Sequence, residues 1–188
     1  MESGDLPRVI GERVAARRAG LKLSLDEIAT RTGVSRAMVS RIERGEVHAS
    51  AVVLDRLCAG LGLTLSALFA RKSAAPLLRR ADQPVWRDPS SGYTRREVAP
   101  GGTPSPVRIV EVEFPPGAEV SFEKAHRRGV DQHVWVLDGE IEARVGDAAY
   151  RLGEGDCLHM HLDRGNSFRN PGARPARYAV ILLQEPGP

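Results

Sequence analysis

The sequence predicts a multidomain chain, an all-α part followed by an all-β part, and three observations carry that expectation. Up to about residue 70, apolar residues recur every three to four positions, the period of a helix buried along one face. From Tyr93 onward the period falls to two, in short runs such as VRIVEVEF, HVWVLDGEIEARV and ARYAVILL. Residues 71–92, RKSAAPLLRRADQPVWRDPSSG, separate the two with prolines, small residues and charges, anchored only by Leu77, Leu78 and Trp86. The expected organisation is a helical domain over 8–70, a linker with the first strand over 71–92, and a β domain over 93–186.

After a loose arm, MESGDLP, the pattern predicts a first helix from about Arg8 to Ala19, with Ile10 and Val14 facing inward. Leu25, Ile28 and Ala29 then form one apolar stripe, Val39 and Ile42 the next, and Val34 lies between them. Ser24 precedes the first of these helices with Glu27 three residues on, a capping box. Gly33 falls where the chain must reverse sharply, and Ser35 is placed to cap the second helix. A fourth helix follows from Ser50 to Leu61, with Val53, Leu54, Leu57, Cys58 and Leu61 on one stripe. Thr64 caps a short fifth helix through Phe69. The pair from Leu25 to Gly45 reads as a helix-turn-helix, a geometry that delivers one helix end into a DNA major groove.

The matching residues LDEIATRTGVS, SRAMVSRIERG and VVLDRLCAGLGLTLSALF, spanning about Ile10 to Phe69, resemble the five-helix DNA-binding domain of the XRE (Cro/C1-type) regulators. That resemblance implies that Arg36, Ala37, Ser40 and Arg41, on the helix capped by Ser35, face base edges. Arg36 and Arg41 are natural bidentate readers of guanine, and Ala37 suits a thymine methyl. Arg17, Arg18 and Arg44 are the expected phosphate contacts. His48, just after that helix, suits phosphate or solvent better than a metal.

Charge agrees with a nucleic-acid partner. The 188 residues carry a formal net charge of +3, and residues 1–72 hold 12 Lys and Arg against 8 Asp and Glu. The rest of the chain holds 15 against 16, so the excess positive charge lies wholly within residues 1–72. Cys58 and Cys157 are too few and too far apart for a disulfide framework and suit a reduced compartment. No signal peptide, long apolar stretch or lipidation motif is visible, so the expectation is a cytoplasmic protein with no membrane partner.

In the second part, turns at PPG, DG, GD and NPG split the strands, and Asp138-Gly139 reads as a two-residue hairpin turn. Many short strands at even spacing argue for a closed barrel or a sandwich. PPGA (115–118), HVWVLDGEIEARVGDAAYRLGEGDCL (133–158) and NSFRNPG (166–172) together resemble the cupin family, whose fold is a double-stranded β-barrel. The resemblance covers about Val107 to Leu183.

Catalytic cupins hold a metal through His-x-His, a Glu and a final His. Aligned on VLDG and FRNPG, this chain places His126, Arg128, Gln132 and Asn166 at those positions. An arginine does not ligate metal and the two amides are weak donors, so the resemblance implies that this metal site is lost and that no cofactor is needed. What remains suits a small organic anion: Arg128 offers a planar fork, and Gln132 and Asn166 each donate and accept. Cys157, His159 and His161 alternate along one strand and share a face. Successive alternate residues lie about 7 Å apart, which disfavours a single ion there.

The reading is a sequence-specific transcriptional regulator, homodimeric on a palindromic operator because one such module reads only a few base pairs, with an effector-sensing cupin domain. The rival is an enzyme of the helical-plus-cupin epoxidase type, disfavoured because Gln132 and Asn166 replace two ligands of its iron triad.

Overall fold

The computed structural model of the protein describes residues 6–69, 75–123 and 130–184. The chain divides into two compact units, with the break between Phe69 and Ala70.

The first unit is five helices: α1 (Leu6–Gly20), α2 (Leu25–Thr32), α3 (Arg36–Glu43), α4 (Ala51–Leu61) and α5 (Leu65–Phe69). Their starts follow local chemistry. Ser24 accepts from the Glu27 amide while Glu27 reaches back to the Ser24 amide, so the capping box is formed. Ser35, Ser50 and Thr64 accept from the amides of Met38, Val53 and Ala67. Gly33 closes α2 at φ 67°, a left-handed conformation that a side chain would resist.

The expected stripes are the core. Ile10, Val14, Ile28, Val34, Val39, Ile42, Leu54, Leu57, Cys58 and Leu61 are buried, while Leu25, Ala29 and Val53 are half-buried at its edge. The α1 backbone lies directly on the last turn of α3 at Gly11. A methyl there would sit 2.3 Å from the Ile42 carbonyl oxygen and 2.7 Å from that of Glu43.

The second unit contains β1 (Val85–Arg87), β2 (Thr94–Glu97), β3 (Val107–Phe114), β4 (Glu119–Phe122), β5 (Val130–Asp138), β6 (Ile141–Val145), β7 (Ala148–Leu152), β8 (Cys157–His161), β9 (Asn166–Arg169) and β10 (Ala176–Gln184). They pair as a six-stranded sheet, β1-β2-β3-β10-β5-β8, and a four-stranded sheet, β4-β9-β6-β7. All pairings are antiparallel.

This corrects the expectation of a closed cupin double-stranded β-barrel: the two sheets are separate ladders and do not close on each other. The physical reason lies in the connections. The chain changes sheet after β3, β4, β5, β7, β8 and β9, and Gly- or Pro-containing turns make most of those crossings, interrupting the ladder instead of carrying it round.

Asp138-Gly139 is one such crossing and not the expected hairpin, because β5 pairs with β10 and β8 while β6 pairs with β7 and β9. Gly139 sits at φ 79°, and a Cβ there would lie 3.1 Å from the Ala176 Cα, so the corner requires glycine twice over. The two-residue hairpin is instead Gly146-Asp147, which joins the paired Val145 and Ala148 with glycine first, at φ 58°.

Between the sheets runs a chain of aromatic contacts. Trp86 meets Tyr93 edge-on at 5.9 Å, Tyr93 meets Phe114 at 5.8 Å, and Phe114 meets Tyr178 at 6.0 Å. Phe168 of the four-stranded sheet stacks on Tyr178 of the six-stranded one at 6.2 Å, tying the two faces together.

Candidate nucleic-acid interface and ligand site

Helix α3 presents one face to the core, through buried Val39 and Ile42, and the other outward. Ser35, Arg36, Ala37, Arg41 and Arg44 are exposed and Ser40 is half-buried. Three of these expected DNA-facing side chains already have neighbours. Arg36 pairs with Asp26 of α2 at 3.2 Å, with side chains 63% and 78% exposed, a contact weak enough to give up to another partner. Arg44 bonds the Ser40 hydroxyl and grips Glu46 at 2.5 and 2.8 Å. The Glu46 carboxylate holds the Arg44 guanidinium above its ordinary pKa, and Arg44 in turn holds Glu46 below the usual carboxylate range. The Arg41 guanidinium makes no hydrogen bond or ion pair among the described residues.

The two arginines of α1 differ from one another. Arg17 is exposed and uses its Nε to donate to the Leu61 carbonyl at 2.9 Å, closing the end of α4. Arg18 is turned inward: Nε and Nη2 bond both oxygens of Glu43 at 2.6 and 2.8 Å, and Nη1 bonds the Leu23 carbonyl at 2.8 Å. Hydrogen bonding to Glu43 holds the Arg18 guanidinium above its ordinary value. Arg18 was expected at a DNA phosphate; its partner Glu43 lies 25 residues away, where no local pattern reveals it.

In the β unit, two of the four residues expected to form an effector pocket, His126 and Arg128, lie outside the described residues. Gln132 is buried on the inward face of β5, 8% exposed, and donates to the Met160 thioether of β8 at 3.6 Å. Asn166 is half-buried at the start of β9, in the other sheet, opposite Phe122 and Val145. Gln132 and Asn166 are not hydrogen-bonded to one another.

Sequence reasoning missed three polar features of this interior. Arg95 and Glu97 point inward from β2 and pair at 2.8 Å, their side chains 9% and 4% exposed. Tyr93, Arg95 and Glu97 alternate in the sequence, so the period was visible, but charged residues at that spacing ordinarily face water. Burial also pushes the Tyr178 hydroxyl far above its usual pKa, with Tyr93 adding to the shift and Arg95 opposing it, so Tyr178 stays protonated. Asn170, 1% exposed, is structural: its amide donates to the Phe114 and Arg174 carbonyls at 2.8 Å each and accepts from Gly172 at 2.9 Å.

On the outward face of the same sheet, Asp131 lies opposite His161 and His133 opposite His159. Asp131 Oδ1 is 2.6 Å from His161 Nδ1 and 3.4 Å from His159 Nε2. Exposed Cys157 lies further along β8, opposite Trp135. Among the described residues, no helix is long and apolar enough to cross a membrane.

Residues 9–69 match the family described as "Helix-turn-helix domain", and residues 110–182 the family described as "Cupin domain". Over 179 residues the chain is 25% identical to the HTH-type transcriptional regulator SutR of Escherichia coli (strain K12), covering 95% of this chain and 96% of that protein. A crystal structure of an HTH_3 family transcriptional regulator from Vibrio cholerae covers 98% of this chain and 100% of its own, with a TM-score of 0.79 at 22% identity. A hydroxypropylphosphonic acid epoxidase from S. wedmorenis aligns over 93% of this chain and 96% of its own, at a TM-score of 0.49 and 16% identity. The chain is an N-terminal helix-turn-helix domain of the XRE/Cro type fused to a C-terminal cupin domain, the architecture of known XRE-family regulators.

Proposed function

We propose that the protein is a sequence-specific transcriptional regulator that acts in the cytoplasm as a homodimer on a palindromic operator. The observation that carries this reading is the mounting of α3: Val39 and Ile42 fix it in the core while Arg36, Ala37 and Arg41 face solvent. Arg36 and Arg41 read base edges, with Ala37 against a methyl and Ser40 beside them. Ser35, Arg44 and Arg17 serve the phosphates. Arg18, committed to Glu43 and Leu23, acts on the DNA through the position of α3. A single module reads a few base pairs, so two copies on half-sites about one helical turn apart supply useful specificity.

The cupin domain senses a small, polar metabolite. Buried Gln132, whose amide meets only a weak thioether acceptor at Met160 among the described residues, retains hydrogen-bonding capacity for a ligand. Asn166, His126 and Arg128 complete the set carried over from the family's site, with Arg128 as the anion-binding fork. A ligand then alters DNA affinity by binding one dimer geometry better than another.

The test is selection of bound fragments from sheared source-genome DNA by the full chain and by the double variant Arg36→Ala/Arg41→Ala. Enrichment of a palindrome by the unaltered chain alone is expected. Failure of the unaltered chain to enrich any sequence contradicts the proposal.

A further inference from the structure

We propose that Asp131, His159 and His161 form a binding site for a late first-row divalent cation, of which Zn2+ is the type, on the outward face of the six-stranded sheet. The site is separate from inward-facing Gln132, which stands where metal-binding cupins carry a ligand. It lies on the reverse side of the same strands: Asp131 faces outward beside inward Gln132, and His159 and His161 flank inward Met160.

Spacing along one strand argues against two alternate histidines sharing an ion. The structure removes that objection by bringing in the neighbouring strand. Asp131 lies opposite His161 and diagonal to His159, and both rings lean toward its carboxylate. The histidine rings consequently meet edge-on at 4.9 Å between centroids, and one ligand atom from each of the three residues lies within 4.8 Å of the others. Donors at about 2.1 Å from a tetrahedral ion are about 3.4 Å apart. The Asp131–His159 separation is already 3.4 Å, and small side-chain rotations bring His161 to the same spacing.

Two imidazoles and one carboxylate are borderline nitrogen and hard oxygen donors, which suit Zn2+, Co2+ or Ni2+ and do not suit Mg2+ or Ca2+. His133 packs against His159, also at 4.9 Å between ring centroids. The three donors leave coordination positions open to solvent, because both histidines are exposed and Asp131 is half-buried. The ion would also clamp an edge, since β8 ends the sheet and two of the three ligands lie on it.

The experiment is Zn2+ titration of the full chain by calorimetry, with Co2+ visible absorption as the second readout. The unaltered chain, Asp131→Asn, His159→Ala/His161→Ala and, as control, His48→Ala in the helical unit are compared. The expected result is one ion per chain and a Co2+ ligand-field spectrum. Affinity should fall on the order of tenfold or more in both β-unit variants and stay unchanged in His48→Ala. No saturable binding by the unaltered chain, or binding that survives both β-unit variants, overturns the proposal. Neither result bears on DNA selection by α3, so this site and the regulator reading fail independently.

Discussion

Arg18 on α1 holds Glu43 at the end of α3 with two parallel hydrogen bonds, 2.6 and 2.8 Å long, and this pair fixes the candidate recognition helix to its support. The side chains are only 20% and 11% exposed, so the pair is shielded from much of the screening that weakens surface ion pairs. Removing either partner strands the other's charge. Arg18→Ala is expected to destabilise the helical unit by about 1–3 kcal/mol, scaled down from the fully buried case. Thermal unfolding followed by the helical circular dichroism signal checks this. Its salt dependence of DNA binding should match the unaltered chain, whereas loss of a true phosphate contact lowers the slope by about one.

Gly11 bears on the same contact. A methyl at this position meets two backbone carbonyl oxygens, at 2.3 and 2.7 Å, and backbone cannot swing aside as a flexible side chain can. Gly11→Ala is therefore expected to lower stability by about 1–3 kcal/mol despite alanine's better helix propensity. Gly20→Ala, on the same helix with nothing within 4 Å, serves as the comparison. A stabilised Gly11→Ala protein would mean that α1 and α3 are not so closely packed.

Acid should loosen the helical unit through its capping and surface carboxylates. Hydrogen bonds from the Ser24 backbone and hydroxyl, with Arg31 nearby, hold Glu27 below the usual carboxylate value, and Arg44 does the same for Glu46. Groups depressed on folding stabilise above their unfolded pKa, and that contribution is lost as the pH falls through the lower folded value. Unfolding temperature is thus expected to decline as pH drops below about 4.5. Glu27→Gln should remove part of that dependence, and a Glu27→Gln profile parallel to that of the unaltered chain would refute the assignment.

Gly139 tests the corner at which the chain passes between sheets. Its left-handed backbone costs about 1–2 kcal/mol for any side chain, and the Ala176 backbone 3.1 Å away adds crowding. Gly155 shares the left-handed backbone, at φ 87°, but has open space around its Cβ position. Gly139→Ala should therefore unfold the β unit at a lower denaturant concentration than Gly155→Ala. Equal midpoints would show that crowding at Ala176 is unimportant.

The helical unit was legible because its information is local. Ser24, Glu27, Gly33, Ser35, Ser50 and Thr64 act within four residues of themselves, and the stripe through Val39 and Ile42 needs only the period of one helix. The α1–α3 contact was not legible, since Gly11 and Arg18 meet Ile42 and Glu43 across a long stretch of chain. In the β unit, period identified strands but not partners. Asp138-Gly139 has the composition of a hairpin, yet the pairing that decides whether it is one belongs to β10, β8, β7 and β9. The same limit hid the inward Arg95–Glu97 pair, which runs against the rule that charges face water, and the place of Asp131 beside two histidines on another strand. His126 and Arg128, outside the described residues, remain expectations carried by the family pattern.

Equilibrium binding to the duplex enriched by the unaltered chain, compared with a shuffled duplex of the same composition, tests the central claim about α3 most directly. Arg36→Ala and Arg41→Ala are each expected to cost about 1–3 kcal/mol on the enriched duplex and to change affinity for the shuffled duplex far less. Equal losses on both duplexes would make these arginines phosphate contacts, and no loss on either would contradict α3 as the element that reads DNA.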